Sequence, residues 1–144
     1  MSLTTTVYIL AFVDLTQTFG WVNKHLLHAQ NPQQSRSREN EICNKPAQGL
    51  DAWALIKCYP EGANFEDCLR TKHALRGRKV FAELDFDTTY SFNREGLTCS
   101  KLHAGYIRKL VEHFEPQGID IIWHNGYTGK LWDNLEGLDT LERL

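Results

Sequence analysis

The sequence lacks the short motifs that most often reveal an enzymatic activity. It contains no phosphate-binding loop, no G-x-G-x-x-G dinucleotide fingerprint and no G-x-S-x-G nucleophile turn. The four cysteines, Cys43, Cys58, Cys68 and Cys99, stand too far apart for a C-x-x-C zinc or redox pattern. The sequence therefore gives no support to nucleotide-dependent chemistry, to a serine triad or to a structural zinc site.

A strong excess of charge and a long hydrophobic run are missing as well. The 16 Lys and Arg residues against 18 Asp and Glu give a net charge of −2, so no positive field draws the chain to nucleic acid or to an anionic membrane. The apolar run Val7–Val13 follows no basic residue and ends at Asp14, unlike a signal peptide or a membrane span. We expect a cytoplasmic protein with free thiols, no membrane contact and no sequence-specific DNA binding.

What the sequence does contain is the composition of a folded domain. Its 144 residues are 42% hydrophobic and 24% charged, which is enough apolar material for one core and too little chain for two. We expect a single domain over residues 1–144. The segment at about 30–49 is polar, holds two prolines and shows no sustained period, so it is predicted to be a mobile loop.

Hydrophobic periodicity predicts an α+β fold. Strands are predicted over Thr4–Val13, Asp51–Tyr59 and Lys79–Phe92, and helices over Thr16–Ala29, Asn64–Gly77, Leu102–Phe114 and, as a short tail, Asp133–Leu144. Asn125-Gly126 stands between two strand-like segments and predicts a C-terminal β-hairpin, because both residues tolerate a positive φ. The architecture expected is a mixed, mostly antiparallel sheet with about three helices.

The clearest chemical pattern is an acid-bearing strand. Glu83, Asp85 and Asp87 alternate with apolar residues and therefore share one face, ~7 Å apart along the strand. Two of these carboxylates could share Mg²⁺ or Mn²⁺ with Asp14, which follows the first predicted strand. The competing interpretation is that the three acids are the solvated face of an antiparallel strand.

One resemblance bears on the metal hypothesis. The run YILAFVDLTQTFGW, followed later by VFAELDF, resembles the ribonuclease H and RuvC-like metal-dependent nucleases. The resemblance implies that Asp14 and Glu83 hold catalytic Mg²⁺ or Mn²⁺, and with Asp85 from the acid-bearing strand they are the candidate catalytic residues of the nuclease hypothesis. The sequence departs from that family in two places: Leu15–Ala29 is predicted helical where the family has a hairpin, and no final helix carries an inward carboxylate pair.

The tryptophans are the other notable group. A domain of this size needs less aromatic bulk than it carries, and Trp53, Trp123, Trp132 and Tyr106 are candidates for an interface or an apolar-ligand pocket. The alternative interpretation is that these side chains fill the core.

A second resemblance concerns the whole layout. VDLTQTFGW near the start, then a late strand, turn and helix, and a closing Trp-bearing segment resemble the RsaM-type regulators of bacterial quorum sensing. The resemblance implies a non-enzymatic modulator of acyl-homoserine-lactone signalling that acts as a homodimer and contacts other regulatory proteins. No functional residue is carried over, because no single motif is diagnostic. The leading hypothesis is thus a regulator without cofactor; the alternatives are the metal-dependent nuclease and an apolar small-molecule binder.

Overall fold

Seven strands form one antiparallel sheet in the part of the chain that the structure describes. The computed structural model describes the backbone of residues 2–27, 33–38, 40–45, 52–65, 77–89, 96–125 and 131–133. The strands are β1 (Ser2–Ile9), β2 (Gln33–Arg38), β3 (Glu41–Lys45), β4 (Ala52–Ala63), β5 (Val80–Thr89), β6 (Ile121–Asn125) and β7 (Leu131–Asp133). They lie in the order β2-β3-β4-β5-β1-β6-β7, and all the pairings are antiparallel.

Two α-helices pack on one face of this sheet. Helix α1 (Leu15–Val22) continues into a π-helical turn over Asn23–Leu27, and helix α2 (Gly96–Phe114) ends in a 3₁₀ turn over Glu115–Gln117. Their buried side chains join those of the central strands in one hydrophobic cluster. The α+β class expected from the sequence is confirmed. None of the helices in the described ranges is long and apolar enough to cross a membrane.

Strand β5 divides the sheet into two faces, as its alternating sequence predicts. Ala82, Leu84 and Phe86 are at most 1% exposed and pack under the helices, and we call this side the core face. Glu83 and Asp85 are half-buried on the other side, the opposite face. Alternation gives this strong signal because successive side chains on a strand point to opposite faces.

Strand β1 ends earlier than its apolar run. It stops at Ile9, and the N–H of Leu10 already donates to the carbonyl of Asp120 at 3.0 Å. The chain then bends toward α1, where the Asp14 carboxylate accepts the backbone N–H of Gln17 at 2.8 Å. Asp14 is thus the N-cap of α1. The prediction of a strand to Val13 was wrong, because the chain leaves the sheet after Ile9 although its residues stay apolar.

Two strands occupy part of the segment predicted to be a loop. The segment at about 30–49 was predicted to be a mobile loop, and the structure describes strands β2 and β3 within it, which pair with each other and, through β3, with β4. Ile42 lies opposite Ile56 and is only 6% exposed, so one apolar side chain anchors the polar β3 to the core. Sheet pairing overrides composition here, because the backbone hydrogen bonds of a strand do not depend on its side chains.

Strand β4 runs past Tyr59, where the predicted strand ended. Pro60 and Gly62 lie inside it, and the register with β5 shifts between Cys58 and Ala63. The β3 pairing reaches only to Lys57, so the missing N–H of Pro60 removes no bond of that ladder. The positive φ of Gly62, 79°, accommodates the irregularity.

The C-terminal pairing differs in register from the predicted hairpin. His124 lies opposite Leu131 and Trp123 opposite Trp132, so Asn125 belongs to β6 and a two-residue turn at Asn125-Gly126 is not confirmed. Residues 126–130 lie outside the described part, as do residues 66–76 and 134–144. The helices predicted over Asn64–Gly77 and in the tail therefore stay predictions.

Candidate functional site

A cleft opens between the β1–α1 connection and the C-terminal end of α2. Its volume is about 490 Å³, within the range of ligand-binding clefts. The apolar part of its lining consists of Phe12, Val13, Trp21, Phe114 and Ile119. Phe12 is 64% exposed, the most exposed large hydrophobic side chain among the described residues. We call this surface the Phe12 cleft.

Ring contacts hold the wall of the cleft in place. The indole of Trp21 stacks on the imidazole of His113, with ring centroids 4.1 Å apart and 19° between the planes. The indole ring of Trp21 also lies near the rings of His25 and Phe114, with centroid distances of 5.2 Å and 6.5 Å. Offset stacking of this kind adds to the energy of burial. The wall is therefore formed before any ligand arrives.

The charges at the cleft are few. Burial lowers the pKa of His113, and the neighbouring His25 lowers it further, so its imidazole is mainly neutral at pH 7. The remaining polar groups of the lining are Asp14, Gln17, Thr18 and Gln117. Among the described residues that line the cleft, Asp14 is the one carboxylate, and none is Lys or Arg.

A second polar constellation lies beneath α2 in the core. His103 is fully buried, with Nδ1 2.6 Å from the hydroxyl of Thr5 and Nε2 2.7 Å from the hydroxyl of Thr88. Burial lowers the pKa of His103 to about 4. A neutral imidazole satisfies both contacts, because one ring nitrogen donates and the other accepts. This network joins α2 to β1 and β5 and is closed to solvent, so we assign it a structural role.

The predicted acid face is an ion-pair network. Lys57 Nζ lies 3.5 Å from Glu83 Oε2 and 4.0 Å from Asp85 Oδ2, and Thr6 donates its hydroxyl hydrogen to Asp85 Oδ1 at 2.8 Å. Burial raises the pKa of both carboxyls; Asp85 raises that of Glu83 further, while Lys57 opposes the shift in both. Lys57 therefore stabilises two half-buried acids across the strands.

The nuclease hypothesis requires Asp14 to meet this pair, and the fold separates them. Asp14 caps α1, whose Phe19 packs into the core face. Asp14 also acts electrostatically on Cys58, which belongs to the core face. Burial raises the pKa of the Cys58 thiol to about 11, and the negative charge of Asp14 raises it further. Glu83 and Asp85 lie on the opposite face of the sheet. Among the described residues no group of three His, Cys, Asp or Glu side chains is arranged to hold a metal ion.

The aromatic residues expected at an interface divide into two groups. Trp123 is 0% and Tyr106 is 6% exposed, both within the main core cluster. Their bulk fills the space between sheet and helices, which is the core placement given as the alternative interpretation of the aromatic residues. The side chains of Trp53 and Trp132 lie outside the described residues.

Sequence reasoning missed the residues that form the cleft. Phe12 was absorbed into a continuous apolar run, and nothing in the local sequence shows that His113 reaches Trp21 from another helix. One signal was present: an apolar residue directly before a helix cap, as Val13 is before Asp14, often packs against the helix it precedes, and Val13 lines the cleft together with Phe12. Trp21 lies on the predicted helix Thr16–Ala29, but no contact or surface was predicted for its side chain.

Comparison with known proteins assigns no family to this arrangement. No protein-family model, no curated protein and no solved structure matches the chain. The function is therefore argued from the geometry of the residues themselves.

Proposed function

We propose that this chain is a non-enzymatic regulatory protein that acts by binding another protein, and that the partner docks at the Phe12 cleft. The observation that carries the proposal is the 64% exposure of Phe12 at the mouth of a preformed aromatic cleft. Covering the exposed part of this ring is worth about 1–2 kcal/mol from transfer out of water alone. Aromatic anchors in such positions commonly dominate the energy of an interface.

The layout resemblance to RsaM-type regulators supports a more specific form of the proposal. In that form the chain modulates acyl-homoserine-lactone signalling as a homodimer. Because Trp123 is buried inside the chain, the dimer interface would use Trp53 or Trp132 instead. Light scattering tests this part: a dimer that a Trp132→Ala variant weakens supports it, and a monomer at high protein concentration contradicts it.

A small-molecule binder is the second candidate. The cleft volume of about 490 Å³ would accept a compact apolar ligand. A partner protein is favoured because Phe12 is 64% exposed although it lines the cleft, so much of its ring would stay in contact with water around a small ligand.

Peptide selection tests the docking surface without knowledge of the natural partner. A phage-displayed peptide library would be selected on the wild-type chain and counter-selected on a Phe12→Ser variant. Leu102→Ser is the matched control, since Leu102 is 43% exposed on α2 but lies about 18 Å along the helix axis from Phe114. We expect enriched peptides that contain an apolar side chain and bind wild type and Leu102→Ser alike. Peptides that bind Phe12→Ser equally well would contradict the proposed surface.

A further inference from the structure

The Phe12 cleft has an uneven charge distribution. Asp14 is exposed at its rim, and one of its carboxylate oxygens is engaged by the N–H of Gln17 at 2.8 Å. Lys109 lines a neighbouring cleft and donates to the backbone carbonyl of His25 at 3.1 Å. Asp14 thus supplies the formal charge among the described residues that line the Phe12 cleft.

Helix α2 adds a second negative contribution. His113 and Phe114 are its last two residues, and the C-terminal end of a helix carries the equivalent of roughly half a negative charge. Gln117 Nε2 bonds the carbonyl of His113 at 2.8 Å, and the N–H of Ile119 bonds that of Phe114 at 3.1 Å. These bonds satisfy the two carbonyls, and the C-terminal end of the helix lies at the cleft because His113, Phe114 and Gln117 line it.

Apolar walls and negative potential together define the occupant. We infer that the partner segment presents a lysine or arginine directly beside an apolar side chain, with the apolar group in the cleft and the cation at Asp14. The inference rests on the function proposed above and names the chemistry of its partner. The methylene stem of a lysine or arginine can pack against Phe12 while its charged end reaches the carboxylate.

Other occupants fit less well. An anionic segment would meet both Asp14 and the end of α2, and repulsion from both would weaken it. A purely apolar segment would fill the cleft but would bring no cation to the charge of Asp14. A cation beside the apolar group uses both features of the surface, and it can also lie over the exposed ring of Phe12.

Three matched peptides test the inference. N-acetyl-Lys-Phe, N-acetyl-Gln-Phe and N-acetyl-Glu-Phe amides would be titrated into protein carrying ¹⁵N-labelled tryptophan. The indole N–H signal of Trp21, assigned with a Trp21→Phe variant, reports binding. At low salt we expect the Lys peptide to bind about fivefold more tightly than the Gln peptide. The Glu peptide should bind most weakly.

Two charge variants make the result specific. Asp14→Asn keeps a good helix cap and should bring the Lys-to-Gln affinity ratio close to one. Glu61→Gln removes one negative charge at an exposed site lining a different cleft, and should leave that ratio unchanged. Equal affinities of wild type for the Lys and Gln peptides would overturn the inference while leaving the docking surface intact, and so would a ratio unaffected by Asp14→Asn. If none of the peptides moves the Trp21 signal, the cleft itself is not the docking surface.

Discussion

Acidification should destabilise this protein through His103. The pKa of the buried imidazole is about 4, whereas a histidine in the unfolded chain titrates near 6.5. Between these two values the unfolded state binds a proton that the native state does not. The free energy of unfolding therefore falls as the pH is lowered from about 7 toward 4, and the contribution of His103 is fully present only above the unfolded pKa.

The size of the effect follows from the separation of the two pKa values. At 1.36 kcal/mol for each pH unit, lowering the pH from 7 to 4.5 should remove about 2 kcal/mol of stability. Protonation also turns both ring nitrogens into donors, so the Thr5 and Thr88 hydroxyls, at 2.6 and 2.7 Å, must both accept. The buried network then holds a charge that no acidic side chain among the described residues offsets.

Urea unfolding of wild type and His103→Gln at pH 7 and 4.5 isolates this contribution. Glutamine does not titrate, and its amide can donate to one threonine and accept from the other. Carboxyls and surface histidines affect both proteins equally and cancel in the difference. We expect wild type to be the more stable at pH 7 and to lose about 2 kcal/mol of that advantage by pH 4.5. A difference independent of pH, or an NMR titration of His103 near pH 6.5, would refute the reasoning.

Three further predictions concern the sheet. Lys57→Met should lower the free energy of unfolding by about 1–2 kcal/mol at pH 7 and much less at pH 3.5, because protonated Glu83 and Asp85 do not need the cation. Cys58, with a pKa of about 11, should react with iodoacetamide at pH 8 about a hundredfold more slowly than a thiol of pKa 9, as followed by peptide mass spectrometry. Gly62→Ala should cost about 1–3 kcal/mol in urea unfolding, because φ is 79° and the added Cβ would lie 2.8 Å from a lysine side chain.

Each of these has an outcome that contradicts it. An equal loss from Lys57→Met at both pH values would mean that packing of the lysine stem, and not its charge, matters. Alkylation of Cys58 at the rate of an exposed thiol would show that the core face opens readily. If Gly62→Ala left the free energy of unfolding unchanged, the β4 bulge would relax without strain.

The sequence predicted the elements whose periodicity is local and regular. The alternation from Val80 to Phe86 identified β5 and its two faces, and the helical stripe ending at Phe114 identified the core side of α2. Leu102 belonged to the same predicted stripe, yet it is 43% exposed. The hydrophobic stripe of a helix can continue beyond the last residue that packs against neighbouring elements, because the periodicity of the sequence does not show how far that packing extends.

The sheet order and the cleft depended on contacts between distant segments. Strand β1 lies between β5 and β6, and the polar β2 and β3 form because β4 offers a pairing edge. Phe12 lies in the continuous apolar run Val7–Val13. Because this run does not alternate, its pattern does not show where the strand ends and the cleft wall begins. Trp21 and His113 meet only because α1 and α2 pack on the same face. A local pattern specifies none of these encounters.

The central proposal for this protein is that the Phe12 cleft is a docking surface for a partner protein. A crystal structure of the chain with the tightest peptide from the selection tests this most directly. We predict that an apolar side chain of the peptide lies between Phe12 and Trp21, with a lysine or arginine of the peptide at Asp14. A peptide seated elsewhere, for example added as a further strand beside the edge strand β2 or β7, would contradict it.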